Sequence, residues 1–264
     1  MRCSRLALSC ALLLAAGQAQ AAIWTSNEIH YQLGRLEAPS FVPGGDDATT
    51  NIFTFQHASG WKYVDLFFFV DFIDDNHEDG FNDSDVYGEL YLGGGFGKMA
   101  GRETGFGPFK DIGWVIGYNR AQDAKVQKWL PGLRLYWDAP GFAFLNTDIT
   151  AYIDDSSGVA SGGAPIESDS FMVDVAWAYP FKVGNQSFSL EGHMEYIDGR
   201  RNEFGGEVSS WVLAQPQLRW DAGKAFWGKE GQFYLGVEFQ FWWNKLGDPA
   251  TDEATGQFLA VWHF

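Results

Sequence analysis

The residues best suited to chemistry fall in one stretch, Trp61 to Asp74, where Asp65, Phe67, Phe69 and Asp71 occupy every second position. In an extended chain successive side chains point to opposite faces, so these four share one face with Tyr63 while Val64, Leu66, Phe68, Val70 and Phe72 share the other. One face mixes carboxylates with aromatic rings; the other is wholly apolar. The mixture is too charged for a dry core and reads as a wet aromatic lining, although a half-buried strand of a soluble sandwich would show the same alternation. Comparable polar faces recur downstream: Tyr87, Glu89 and Tyr91; Arg134 and Tyr136; Asn146 and Asp148 with Thr150 and Tyr152; Glu191 and His193 with Glu195; Arg219 with Gln215 and Gln217; and Glu238 with Tyr234 and Gln240. Arg134 and Arg219 set cations opposite the acids, and bracing is their expected role because charges away from bulk water need partners. His193, between Glu191 and Glu195, is the histidine best placed for a proton relay, with bracing again the plainer role.

Other chemistries find no support. The acidic segment Asp74 to Asp85, tested as an EF-hand loop starting at Asp75, puts His77 at the third position and Val86 at the twelfth, where a carboxylate is required. It reads as a solvated acidic loop. There is no H-E-x-x-H and no G-x-S-x-G, and the glycine-rich run Gly93 to Met99 lacks the spacing of a P-loop. No cofactor, metal or catalytic residue is implied.

Positioning such faces requires many strands, and the chain has the composition for them. Residues 1–21 carry Arg2 and Arg5, an apolar run from Leu6 to Ala16 and an Ala19-Gln20-Ala21 cleavage site, the pattern of a secretory leader, which leaves 22–264 as one domain. Both cysteines, Cys3 and Cys10, lie in that leader, so no disulfide is expected in the exported chain. The formal net charge of −16 becomes more negative still without Arg2 and Arg5, which excludes nucleic acid as a partner. Aromatic residues make up 17% of the chain, with 12 Trp. A membrane barrel offers such rings a place, in interfacial girdles and a lipid-facing band.

The alternating pattern recurs near residues 25–34, 50–57, 61–73, 85–92, 108–119, 129–138, 142–153, 169–179, 187–198, 208–220, 231–243 and 256–264. Most of these segments match the ~9–11 residues that a tilted strand needs to cross a bilayer. Pro216 weakens the tenth by removing a ladder donor. Short joins at 58–60, 139–141 and 180–186 alternate with longer polar loops, as expected for short inner turns and long external loops, while the inner joins 93–107 and 221–230 are longer than that rule prefers. The last segment puts Phe258, Ala260, Trp262 and Phe264 on one face with an aromatic as the final residue, like the C-terminal signal read by the barrel assembly machinery. The expected fold is therefore all-β: a single 12-stranded antiparallel transmembrane β-barrel of the outer-membrane type.

Certain stretches also resemble a known family, the Tsx-type nucleoside-specific channel-forming proteins of Gram-negative outer membranes and their OmpK relatives. They are Gly60-Trp61-Lys62-Tyr63-Val64-Asp65-Leu66-Phe67-Phe68-Phe69-Val70-Asp71, Tyr87-Gly88-Glu89-Leu90-Tyr91, Phe106-Gly107-Pro108-Phe109-Lys110, Leu130-Pro131-Gly132 and Pro140 to Asn146. The resemblance implies a monomeric barrel in the outer membrane, in contact with its lipid and lipopolysaccharide, whose narrow pore passes nucleosides. In such a pore Phe67, Phe69, Tyr87 and Tyr91 would stack on bases, and the acids would accept sugar hydroxyls. A general small-solute porin, a barrel lipase or an anchoring protein are the alternatives.

Overall fold

The computed structural model describes residues 21–102 and 104–264, so the expected leader lies outside the described residues apart from Ala21. The alternating segments become β1 (Trp24–Leu36), β2 (Ala48–Gly60), β3 (Asp65–Asp75), β4 (Asp85–Gly95), β5 (Phe109–Ala121), β6 (Val126–Trp137), β7 (Phe144–Asp154), β8 (Ser170–Val183) and β9 (Gln186–Ile197). A tenth wall strand, β10, comes in two pieces, Trp211–Ala214 and Gln217–Asp221, and is followed by β11 (Phe233–Trp243) and β12 (Glu253–His263). Each strand pairs antiparallel with its sequence neighbours, and β1 closes on β12 from Glu28↔His263 to Leu33↔Phe258. The result is a closed 12-stranded barrel. Closure leaves no edge, which a sheet in hydrocarbon requires because each unpaired backbone group there costs several kcal/mol.

The cross-strand register fixes the faces. Thr54 lies opposite Asp71 and Phe53 opposite Phe72, so the acid-bearing row of β3 points inward and its apolar row outward. Outward side chains remain open to the surroundings, as with Ile116 at 43% and Phe72 at 54% exposure. Together these rows form an apolar belt, with Trp129, Trp243 and Trp262 also exposed. Inward, the barrel is narrow enough for side chains to fill part of it. Leu130, Tyr152, Met172, Ile197 and Trp211 form a buried apolar cluster, so the lumen is not a wet lining along its whole length.

Some boundaries differ from the sequence pattern. The third strand starts at Asp65, not Trp61, because Gly60 pairs with Asp65 and the Trp61 amide donates to the Val64 carbonyl at 2.8 Å, closing a turn. Tyr63 and Val64 therefore leave the faces assigned to them, and 58–60 belongs to β2. The expected join 180–186 is mostly strand as well, since Val183 pairs with Gln186 across the two-residue turn Gly184–Asn185. The two long inner joins hold short helices, α1 (Phe96–Ala100) and α2 (Ala222–Trp227). Asp111 accepts the Gly97 and Lys98 amides at the start of α1, and Asp221 accepts that of Lys224 in α2. Phe96, Met99, Phe226 and Trp227 stay exposed on them.

The break in β10 falls at Gln215-Pro216, where proline cannot donate to the ladder. It brings the Gln215 carbonyl against Gly192 of β9, where φ is 140° and an added Cβ would lie 2.3 Å from that oxygen. Glycine is required there. Gly192→Ala should lower the denaturant midpoint of the refolded barrel, whereas Gly184→Ala, with open space around the added atom, should lower it less. Ile116→Arg, a charge on the outward belt, should cost about 2–4 kcal/mol if it sits near the bilayer midplane. Asn146→Arg, on the inward face, should still insert; equal insertion of the two arginine variants, read from heat-modifiable gel migration, would refute the lipid-facing register.

Candidate functional site

All fifteen residues expected on the lining have inward positions in the register: Asp65, Phe67, Phe69, Asp71, Tyr87, Glu89, Tyr91, Arg134, Tyr136, Asn146, Asp148, Glu191, His193, Arg219 and Glu238. They do not form one site; they divide into an aromatic wall, several braces and a charged centre.

The aromatic wall belongs to β3 and β4. Direct pairing places Phe67 beside Tyr91, with ring centroids 6.5 Å apart, while Phe69, paired with Glu89, reaches the Tyr87 ring diagonally at 6.0 Å and lies 6.2 Å from Phe67. Both tyrosine hydroxyls donate to Glu89, which lies between them and also accepts from Asn119 Nδ2 at 2.9 Å. Further round the wall, the Tyr136 hydroxyl and the Asn146 side-chain oxygen, on directly paired residues of β6 and β7, are buried and have no hydrogen-bond partner among the described residues. These are groups a solute can engage.

The braces account for both arginines. Arg134 grips Asp148 in a two-bond fork, with Nε and Nη2 donating at 2.7 and 2.6 Å. Arg219 Nη1 lies 3.0 Å from Glu28 and 3.1 Å from Glu191, and its Nε donates to Gln217 at 2.8 Å. Neither arginine holds Asp65. That carboxylate is held at 2.6 Å by Lys98, which reaches it from α1, so the inner joins help order the inner end of the lumen. A cavity of about 410 Å³ opens at this end beside Ser189, Glu191, Asp221 and Tyr234.

In the centre, most carboxylates are solvated, each by different groups. Glu238 receives the side-chain amides of Gln32, Gln217 and Gln257. Asp71 accepts from the Thr54 hydroxyl at 2.6 Å, and Asp174 lies 3.1 Å from His193 Nδ1. Asp174 was not picked out from sequence, although its alternation with Phe171, Val173 and Val175 carried the signal. Its importance depends on the β8–β9 register, which pairs it with Glu195. His193 Nε2 faces Gln215 Oε1 at 2.9 Å, so its proton-relay setting is a fixed hydrogen-bond chain.

External loops cover the outer end. Lys245, 1% exposed, pairs with Glu253 and donates to the Glu37 carbonyl, with Trp242 and Phe81 under its ammonium at 5.3 and 5.5 Å. Burial pushes this lysine below its ordinary range, against the pull of Glu253. Burial works against charge on Asp248 too, but donation from the Thr251 hydroxyl and the Ser40 amide outweighs it and holds the carboxyl at about 2. A second lock joins Lys128, Asp154, Glu167 and Arg200, with the Arg200 guanidinium 4.2 Å from the Trp211 ring. In the loop between β3 and β4, Asp75, Asp79 and Asp83 accept from the loop's own amides. That explains its acidity without a cation.

No protein-family model matches this chain, and no curated protein matches it. Solved structures do. The COG4313 outer membrane channel from Pseudomonas putida F1 is 10% identical over 94% of this chain and 98% of its own, with a TM-score of 0.50. The KdgM porin is 9% identical over 90% and 99%, with a TM-score of 0.49, and outer membrane phospholipase A from Escherichia coli is 9% identical over 93% and 98%, with a TM-score of 0.45. At such identity the likeness to the Pseudomonas channel is one of fold. The closed ladder, the outward apolar belt and that likeness define a transmembrane β-barrel of the outer-membrane type. The chain is a protein of the bacterial outer membrane.

Arg134→Leu leaves Asp148, 3% exposed, with no counter-charge and should cost about 3–5 kcal/mol in unfolding of the refolded barrel. The double variant Arg134→Leu/Asp148→Leu should recover most of that loss. Equal stability of the single variant and the wild type would mean the pair is not a brace.

Proposed function

We propose that the barrel is a passive outer-membrane channel that admits nucleosides, in the manner of the Tsx-type channels its β3–β4 and β6–β7 segments resemble. The observation that carries this reading is the wall of Phe67, Phe69, Tyr87 and Tyr91, with the unpartnered Tyr136 hydroxyl and Asn146 oxygen further round the same lumen. Rings give a base a sequence-tolerant stacking surface. Unpartnered polar groups give the sugar or the base edge something to bond, at little cost because nothing else must be displaced. The acids at the centre favour neutral or cationic solutes and oppose phosphates, which suits a nucleoside over a nucleotide.

The test is titration of single-channel current in a planar bilayer with adenosine, thymidine, a nucleoside monophosphate and glucose. Nucleosides should block at lower concentration than glucose, and the monophosphate should block least. Removing a stacked ring should cost ~1–3 kcal/mol per base, so Phe67→Ala or Phe69→Ala should raise the half-blocking concentration roughly 5- to 150-fold. Salt conductance of these variants should be equal or larger, because the rings also narrow the pore. If nucleosides block no better than glucose, a general small-solute pore is the function that remains.

A further inference from the structure

Three inward residues at the centre of the lumen, Asp174 on β8 and His193 and Glu195 on β9, bring one potential ligand atom each to within 4.8 Å of one another. They are a directly opposed pair, Asp174↔Glu195, plus the next inward residue on the same strand. We propose that this cluster is a site for a divalent first-row transition metal, for which Zn²⁺ is the probe, and that its occupation narrows the lumen from one wall.

Its separate support is the state of Glu195. The other central carboxylates have donors: Glu238 has three amides, Glu89 two phenols and an amide, Asp71 a hydroxyl and Asp174 an imidazole. Glu195 is 7% exposed, yet among the described residues it joins no ion pair, and the one donor near it, the indole N–H of Trp211, falls outside hydrogen-bond geometry. A buried carboxylate without donors is costly unless a cation meets it. The surroundings add to the demand. Glu89 and Asp71 face the same space from β4 and β3, and Glu238 from β11. Arg134 and Arg219 are committed to Asp148 and to Glu28 and Glu191.

The histidine is also held as a metal ligand is. A ligating imidazole usually gives its second N–H to an acceptor that fixes tautomer and ring orientation. Here Gln215 Oε1 accepts at Nε2, and Gln215 cannot turn its amide round freely because its Nε2 donates to Gln240 at 3.0 Å. Nδ1 is left facing Asp174 and the Glu195 side of the lumen. Nδ1 is thus the nitrogen a metal would take, with Nε2 remaining on Gln215. One nitrogen with carboxylate oxygens suits zinc and its first-row neighbours better than calcium or magnesium, which take oxygen ligands. The inference does not rest on the nucleoside reading, because metal binding is measured without any solute.

The test is calorimetric titration of the refolded full barrel with ZnCl₂, against MgCl₂ as the control. Expected are one tight site for zinc and none of similar affinity for magnesium. His193→Gln and Glu195→Gln should each weaken zinc by about tenfold or more. Folding of each is checked by heat-modifiable migration; for any variant that fails to fold, Gln215→Leu, which removes the acceptor at His193 Nε2 and the donor to Gln240 but no proposed ligand, replaces it and should also weaken binding. Wild type that binds zinc no better than magnesium, or binding unchanged in the folded variants, overturns the proposal. Nucleoside block that persists with no zinc site would overturn this inference alone, and a zinc site without nucleoside block would overturn only the reading above.

Discussion

Lipid on the outside decides where every polar group of this protein goes. A side chain on the outward row must be apolar, so the hydrogen-bonding and charged residues of the strands collect in a narrow interior. There they must find partners across or along the wall, because water reaches them only in part. The interior is therefore built as a set of local solutions to excess negative charge: forks from arginine, phenols around Glu89, amides around Glu238 and a lysine from α1 on Asp65. The quality of each solution differs. Where it is complete the group is structural, and where it is incomplete, as at Glu195, Tyr136 and Asn146, the group is free to meet something that is not protein.

This separation also explains the longitudinal arrangement of the lumen. The outer part is filled by Leu130, Tyr152, Met172, Ile197 and Trp211 and covered by loops locked through Lys245 and Arg200. The aromatic wall lies against this cluster, Tyr91 and Leu130 meeting across Gly117, and a cavity opens at the inner end beside Glu191 and Tyr234.

Much of the fold was legible because a period of two is a property of single strands and survives without knowledge of partners. Phe53, Phe72 and Ile116 announce the outward face by type alone, and the inward face follows by alternation. Partner choice was not legible, since it depends on register and on side chains from distant segments. Alternation set Arg134 and Arg219 opposite the acids in general, but Asp65 is held by Lys98 of an unforeseen helix, and Asp174 drew no notice because its relation to Glu195 exists only across a strand pair. The turn at Trp61–Val64 was missed because its residues continue the alternation, and only the pairing of Gly60 with Asp65 ends the strand.

The two inner helices carry one more consequence. They leave the wall from the β4–β5 and β10–β11 joins, half the circumference apart, and each presents bulky apolar side chains to its surroundings, Phe96 and Met99 on one and Phe226 and Trp227 on the other. Large amphipathic rings favour the level of the lipid headgroups. Anchors at opposite sides act as a pair of outriggers: rocking the barrel would lift one set toward water while driving the other into hydrocarbon. These helices thus help set the attitude of the cylinder in the bilayer from its inner rim, alongside the exposed Trp129 and Trp243 toward the outer ends of β6 and β11.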